Sequence, residues 1–383
     1  MDSRQAFTAA VVAAYLMVLV PFDFLQFEAR KDERFFWETT QKFTDGIIPS
    51  WTALRSYNSG KSLQYPGPVP FWVFGVADQI GGDGLFAGRL LNLTLSLVIV
   101  LAIGLTGKSE GGKPYLAAAG LMLFPYFIGT SLHLYTDPIA SFLVLAGVAA
   151  HMRKRHVLSG LCFVAAVYTR QMTIAFPLAI AAYELLRSYR GGFTVNSAWL
   201  APSLAALSII PFICLFSVSD SGVESHVAEA LWSQNLRPQY ALYFLTCLGF
   251  YFALAETILF RKMREMKGLI TWGNTRLALA LAVLFLAFPP MDNIDYPVRE
   301  MGYLDRAARM AFGSATYGGV AKTAVFYVLA LTASIRISKT STLPMLFVAF
   351  NAGIVMKSNH AWDKYLMPLL VVLWYLKAQE RLD

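Results

Sequence analysis

The 383-residue sequence is poor in charge. Only 15% of its residues are Asp, Glu, Lys or Arg, against 56% that are hydrophobic. Soluble domains carry about 25% charge, so this balance excludes an ordinary soluble protein and points to a polytopic membrane protein. A span needs about 20 apolar residues, and such spans leave no room for a separate soluble domain of about 100 residues. Cysteine is also scarce. Cys162, Cys214 and Cys247 lie in apolar runs and form neither a CxxC pair nor a zinc spacing, so they read as small buried hydrophobes. The sequence has no Walker A motif, dinucleotide glycine fingerprint, G-x-S-x-G or HExxH, and so gives no sign of a nucleotide site. Fixed-period repeats and low-complexity tracts are missing too. No small-residue cleavage site follows the apolar stretch 6–27, which is expected to remain as a first helix.

Apolar runs fill most of the chain. The expected fold class is all-α: a single transmembrane domain over 1–383 with about twelve spans. These fall near 6–27, 89–107, 114–131, 137–151, 157–169, 172–187, 199–218, 239–260, 275–290, 320–335, 343–357 and 366–377. The pair 157–169 and 172–187 also reads as one kinked helix broken at Tyr168–Met172. The net charge of +8 comes from basic residues divided among short loops, which fits inner membrane loops better than nucleic-acid binding. Arg153-Lys154-Arg155 and Arg261-Lys262-Met263-Arg264 mark the cytoplasmic side, with both termini inside. The carboxylate excess then falls outside. There, a long first external loop, 28–88, is expected to carry juxtamembrane helices at Arg34–Phe43, at Ile47–Tyr57 and after Tyr65-Pro66-Gly67-Pro68.

Several polar groups stand out against this background. Asp32 and Glu33 directly follow the first apolar run. One of them can act as a general base or accept hydrogen bonds from sugar hydroxyls; alternatively they are a solvated pair neutralised by Arg30, Lys31 and Arg34. Asp137 either caps a helix or lines the same pocket. Arg170-Gln171 lies at the break between two apolar runs. A guanidinium there suits a phosphate, or pairs with Asp137. His360-Ala361-Trp362-Asp363-Lys364-Tyr365 precedes the last run. Lys364 can hold a phosphate there, while His360 is either a helper or a structural residue. Arg299, Arg306 and Arg309 can meet an anionic lipid or acceptor, or form a solvated surface.

The layout resembles the GT-C superfamily of integral-membrane glycosyltransferases. It is most similar to the alpha-1,2-glucosyltransferase family that adds the terminal glucose to the dolichol-linked oligosaccharide. Asp32-Glu33-Arg34-Phe35-Phe36 resembles that family's Asp-Glu-x-Phe-His, with Phe36 where the family carries histidine. Tyr65-Pro66-Gly67 resembles Leu-Pro-Gly, Arg89-Leu90-Leu91-Asn92 resembles Arg-Phe-Val-Asn, and Tyr135-Thr136-Asp137 resembles Tyr-Thr-Glu. Thr169-Arg170-Gln171-Met172-Thr173 resembles Phe-Arg-Gln-Thr-Asn, and Lys364-Tyr365 with Pro368 resembles Arg-Tyr followed by Pro. The similarity is dense over 28–185 and sparser beyond 190. Related glucosyltransferases carry Asp-Tyr-Pro-Pro where this chain has Gln64-Tyr65-Pro66-Gly67. Glutamine cannot be a base, so that role falls to Asp32 or Glu33.

The resemblance implies an inverting glycosyltransferase that takes a hexose, glucose among the candidates, from a polyprenyl-phosphate (dolichyl-phosphate) donor. The acceptor would be a lipid-linked or cell-surface glycan on the non-cytoplasmic side, as in glycan biosynthesis and protein glycosylation. Asp32 or Glu33 would be catalytic. Tyr65, Asp137, Arg170, Gln171, Arg299, His360, Lys364 and Tyr365 would bind substrate, and the scheme needs no metal or other cofactor. Membrane lipids are expected partners and nucleic acid is not. The scheme requires Asp32, Arg170 and Lys364 to surround one lipid-accessible cavity. The competing class is a transporter or flippase of lipid-linked sugars, which would more often show internal repeats. Compact loops and a sequon at Asn92, inside an apolar run, favour a bacterial or archaeal cell membrane over the endoplasmic reticulum.

Overall fold

The structure, a computed structural model, describes residues 2–19, 28–29, 31–56, 66–82, 84–106, 113–191, 195–216, 235–261, 272–290, 301–313, 316–358 and 360–382. Among these residues all regular elements are helical and none is a strand. Leu85–Gly104, Ser197–Leu215, Pro238–Leu259 and Gly318–Ser338 are long and apolar enough to cross a bilayer. At 19 to 22 residues and about 1.5 Å per residue, each reaches about 30 Å, the thickness of the hydrocarbon core. Other apolar helices are shorter, among them Ser3–Leu19, Asp137–Met152, His156–Thr169 and Thr342–Val355. These helices, together with the family reported below, make the chain an integral membrane protein.

Two runs read as apolar spans are interrupted, and the cause is local. The run 114–131 divides into Lys113–Met122 and Pro125–Ser131. Pro125 lacks an N–H and disfavours helical backbone in the residue before it. The second interruption lies between His156–Thr169 and Ala175–Arg190, where Arg170 is extended (φ −145°, ψ 116°) and a 3₁₀ turn, Gln171–Ile174, follows. The expected break at Tyr168–Met172 is therefore real, with Arg170 as its extended residue.

The chain forms two compact units. One comprises Met1–Thr106 and Pro125–Ser233; the other comprises Gly107–Phe124 and Gln234–Asp383. In the first unit, Asp137–Met152 and His156–Thr169 form a hairpin in which Gly147 lets the Phe163 ring approach; a Cβ on Gly147 would meet that ring at 2.8 Å. The helix Lys31–Thr40 belongs to the same unit. Its Phe36 packs with Phe43, Phe71 and Phe212 on one side and with Phe74, Leu134 and Ile139 on the other. Val69–Gly81 is the helix expected after the proline-rich turn, and Pro68 to Pro70 supply its rigid start.

The second unit is built around its last helix, Met367–Ala378, all of whose residues are buried. A helix apolar on every side belongs in a core. Its Trp374 packs edge-on to Phe252 at 4.9 Å and lies against Gly120. Charge is also buried here. Glu256 accepts from Arg336 through both oxygens, at 2.6 and 2.8 Å, and from Lys377 at 2.7 Å. Cys247 is buried as expected, whereas Cys162 is half-buried and Cys214 exposed.

Within Pro238–Leu259, a π-helical turn covers Gly249–Leu254. Gly249 lies directly beneath the backbone of the helix Thr316–Ser338, and a Cβ there would stand 2.0 Å from the Leu329 carbonyl oxygen. Backbone cannot swing aside as a side chain can. Gly249→Ala is therefore expected to cost about 1–3 kcal/mol, read as a lower melting temperature of the detergent-solubilised protein.

Candidate active site

One short turn, residues 133–137, organises the polar groups of the first unit. It joins Pro125–Ser131 to Asp137–Met152, and four side chains from three elements reach it. Glu33, from the helix Lys31–Thr40, accepts a hydrogen bond from the Leu134 backbone N–H at 2.7 Å. Asn92, from the helix Leu85–Gly104, donates its amide to the His133 and Tyr135 carbonyls at 2.7 and 2.8 Å. Arg170, from the helix break, donates to Thr136 Oγ1 at 3.0 Å and to Asp137 Oδ2 at 2.8 Å. Asp32 accepts from the Tyr135 hydroxyl at 3.2 Å.

Glu33 and Arg89 form the most deeply buried ion pair of this cluster. Nε and Nη2 of Arg89 donate to the two Glu33 oxygens, each at 2.9 Å, and the side chains are 1% and 0% exposed. Both Glu33 oxygens are thus engaged by protein. Asp32, the neighbouring residue, is only half-buried. The two acids, alike in sequence, therefore stand in different surroundings, and of the two it is Asp32 that is accessible to a substrate. Burial, and next the Asp32 charge, push the Tyr135 phenol well above its ordinary pKa. It remains a neutral donor at working pH.

Asp137 occupies the first turn of its helix, but Thr136 is the N-cap residue and makes no side-chain cap bond. The Asp137 carboxylate instead pairs with Arg170, whose side chain is 16% exposed. The pairing considered from the sequence is therefore present, and the Arg170 side chain is still partly exposed. Gln171 is half-buried in the 3₁₀ turn. The break itself is covered by the proline-rich turn. The Gly67 N–H donates to the Thr169 carbonyl at 3.2 Å, and a Gly67 Cβ would collide with the Tyr168 carbonyl at 2.0 Å. Tyr65 and Arg299 lie outside the described residues.

Lys364, His360 and Tyr365 belong to the second unit. Lys364 is buried with its ammonium 4.0 Å above the Trp362 ring. His360 is hydrogen-bonded to the Tyr365 hydroxyl. The acid between them organises the region. Asp363 accepts from the Tyr243 hydroxyl, from the Tyr251 hydroxyl at 2.8 Å and from the Leu304 N–H at 2.9 Å. Burial pushes its carboxyl above the usual range, against the opposing pull of these donors. Nearby, Asp305 binds Arg309 and Lys322, each at 3.0 Å. Of the other loop arginines, Arg306 is exposed.

Sequence reasoning passed over Arg89, Asn92, Tyr135 and Asp363 as functional residues. For Arg89 a signal existed, because a guanidinium inside an apolar run demands a partner. Asn92 is buried and holds two backbone carbonyls. Its sequon is thus a packing device and bears on no membrane assignment. Glu33→Gln keeps the side-chain shape but removes the charge opposite Arg89. It is expected to cost about 3–5 kcal/mol, measured by thermal or denaturant unfolding in detergent. A companion Glu33→Gln/Arg89→Met variant is expected to recover part of that loss.

No curated protein matches the chain. A crystal structure of ArnT from Cupriavidus metallidurans bound to undecaprenyl phosphate is similar at 14% identity and a TM-score of 0.46, over 97% of this chain and 77% of that one. The family model that matches is that of the DIE2/ALG10 family, over residues 82–274. That segment is just over half of the sequence and includes Arg89, Asn92, Tyr135, Asp137 and Arg170. The resemblance carried by the ordered motifs holds: the chain belongs to the DIE2/ALG10 family of membrane glycosyltransferases.

Proposed function

We propose that this protein is an inverting glycosyltransferase. It moves a hexose, glucose in the first instance, from a polyprenyl-phosphate donor to a lipid-linked or cell-surface glycan on the non-cytoplasmic side. One observation carries the reading. A half-buried carboxylate, Asp32, and the guanidinium of a partly exposed side chain, Arg170, are tethered to consecutive residues of the same turn, Tyr135 to Asp137. A base and a phosphate-binding cation held close together are what a displacement at a sugar phosphate requires.

The chemistry follows from the residues. Asp32 takes the proton from an acceptor hydroxyl. The hydroxyl oxygen attacks the anomeric carbon from the face opposite the phosphate. The bond from that carbon to the phosphate oxygen breaks, its electron pair stays with the lipid phosphate, and configuration at the carbon inverts. Arg170 stabilises the charge growing on the departing phosphate. Its orientation is fixed in advance by Thr136 and Asp137, so little reorganisation is needed during the reaction. Glu33 is committed to Arg89 and Leu134 and acts by holding the turn in place, which leaves Asp32 as the base. Gln171, beside Arg170 at the break, is assigned to the sugar or the acceptor.

Radiolabelled polyprenyl-phosphate glucose presented to the purified protein with a lipid-linked glycan is expected to label the glycan. Asp32→Asn is expected to reduce that transfer by about 10²–10⁴-fold, the usual contribution of general base catalysis, without changing the melting temperature. Turnover near wild type in this variant would reject Asp32 as the base. Donor recovered intact on the opposite side of a reconstituted vesicle, with no labelled glycan, would favour a transporter instead.

A further inference from the structure

We infer that Tyr135 is a positioning residue for the Asp32 carboxylate, holding one oxygen by a hydrogen bond so that the other faces the acceptor hydroxyl. This rests on the reading of Asp32 as the base. Among the described residues, Tyr135 is the hydrogen-bond donor to Asp32, reaching Oδ2 at 3.2 Å. Tyr135 is itself held from several directions. Its carbonyl accepts from Asn92, its N–H donates to the His133 carbonyl at 2.8 Å, and the preceding N–H is taken by Glu33. Its ring stands edge-on to Phe36, with centroids 5.8 Å apart. Asp32 and Phe36 are four residues apart on one helix and share a face, so ring and hydroxyl of Tyr135 lie along that face together. Phe36 in turn is wedged between the two apolar clusters of the first unit. The carboxylate is thereby tied to the packed interior through one phenol.

The geometry leads to a specific division of labour. A carboxylate on a half-buried helix turn can rotate about its side-chain bonds, and a base must reach the proton within about 3 Å in one orientation. A neutral donor fixes that orientation and stabilises the ionised form, which is the form able to accept a proton. A cation in the same place would oppose proton transfer more strongly. Tyr135 also links the two halves of the proposed chemistry, because Thr136 and Asp137, the next residues, hold Arg170.

Tyr135→Phe removes the hydroxyl and keeps the ring against Phe36, so the full-length variant is expected to melt with the wild type. With radiolabelled polyprenyl-phosphate glucose as donor, kcat is expected to fall by about ten- to a hundredfold, the worth of a hydrogen bond to a charged group. The donor KM is expected to hold. An unchanged kcat, with Asp32→Asn inactive, would overturn the assignment of Tyr135 and leave Asp32 standing. So would a raised donor KM with an unchanged kcat, which would make Tyr135 a donor-binding residue. In an Asp32→Asn background, Tyr135→Phe should cause no further loss; an independent loss there also overturns the proposal. Retained turnover in Asp32→Asn alone would remove the base and, with it, the reason for positioning it.

Discussion

The pairing of Glu33 with Arg89 is the constraint on which the first unit's site depends. Both side chains are withdrawn from solvent, each at a cost of several kcal/mol if left unmatched, and they are matched by two hydrogen bonds of 2.9 Å. That cost makes the geometry exclusive. The helix Lys31–Thr40 cannot slide or roll without exposing a buried charge, so the backbone of Asp32, one residue before Glu33, is fixed in place. The third bond of Glu33, from Leu134, extends the constraint to the turn that carries Tyr135, Thr136 and Asp137. A buried pair of this kind adds little net stability against an apolar alternative. What it provides is a register between a loop helix and a membrane helix.

The same logic separates two acids that look equivalent. Adjacent residues on a helix point about 100° apart, so if one is driven into the core the next is left near the surface. Glu33, which has the longer side chain, reaches Arg89 and is consumed by it. Asp32 is left half-buried beside a phenol. The adjacent carboxylates thus supply one anchor and one accessible carboxylate, and Arg89 selects which is which.

Much of this arrangement was legible in the sequence, because low charge makes each charged residue inside an apolar run informative. Asp32, Asp137 and Arg170 stood out on that ground, and the break at Arg170 was visible as a gap between two apolar runs. The proline-rich turn could be read as rigid, but not as the cover of that break. Nothing in the string Pro66-Gly67-Pro68 shows that Gly67 lies against the Tyr168 carbonyl, some hundred residues later. Nor could spacing distinguish Glu33 from Asp32, since the choice is made by Arg89 across 56 positions. In the run 114–131, hydropathy outweighed a proline that splits the helix, because side-chain apolarity carries no record of a missing N–H. Asp363 was hidden for a different reason. It sits between two residues, Trp362 and Lys364, whose chemistry is more conspicuous, while its own partners Tyr243, Tyr251 and Leu304 are distant in sequence.

Phe36 stands where the motif that residues 32–36 resemble carries histidine, and its surroundings are apolar. A histidine at this position would bring a polar ring into contact with Phe71 and Tyr135, whose centroids lie 6.0 and 5.8 Å away. Phenylalanine fills that space with no nitrogen to satisfy, in a region where an unpaired polar atom is costly. The helix is then held by an apolar wedge at Phe36 and an ion pair at Glu33. These are three residues apart, close to one helical turn, and so fall on neighbouring parts of the same face. Asp32, four residues before Phe36, lies at the margin of that face, where packing ends and access begins. Phe36 therefore fastens the loop helix by packing alone and, having no polar atom, leaves the hydrogen bond to Asp32 to Tyr135.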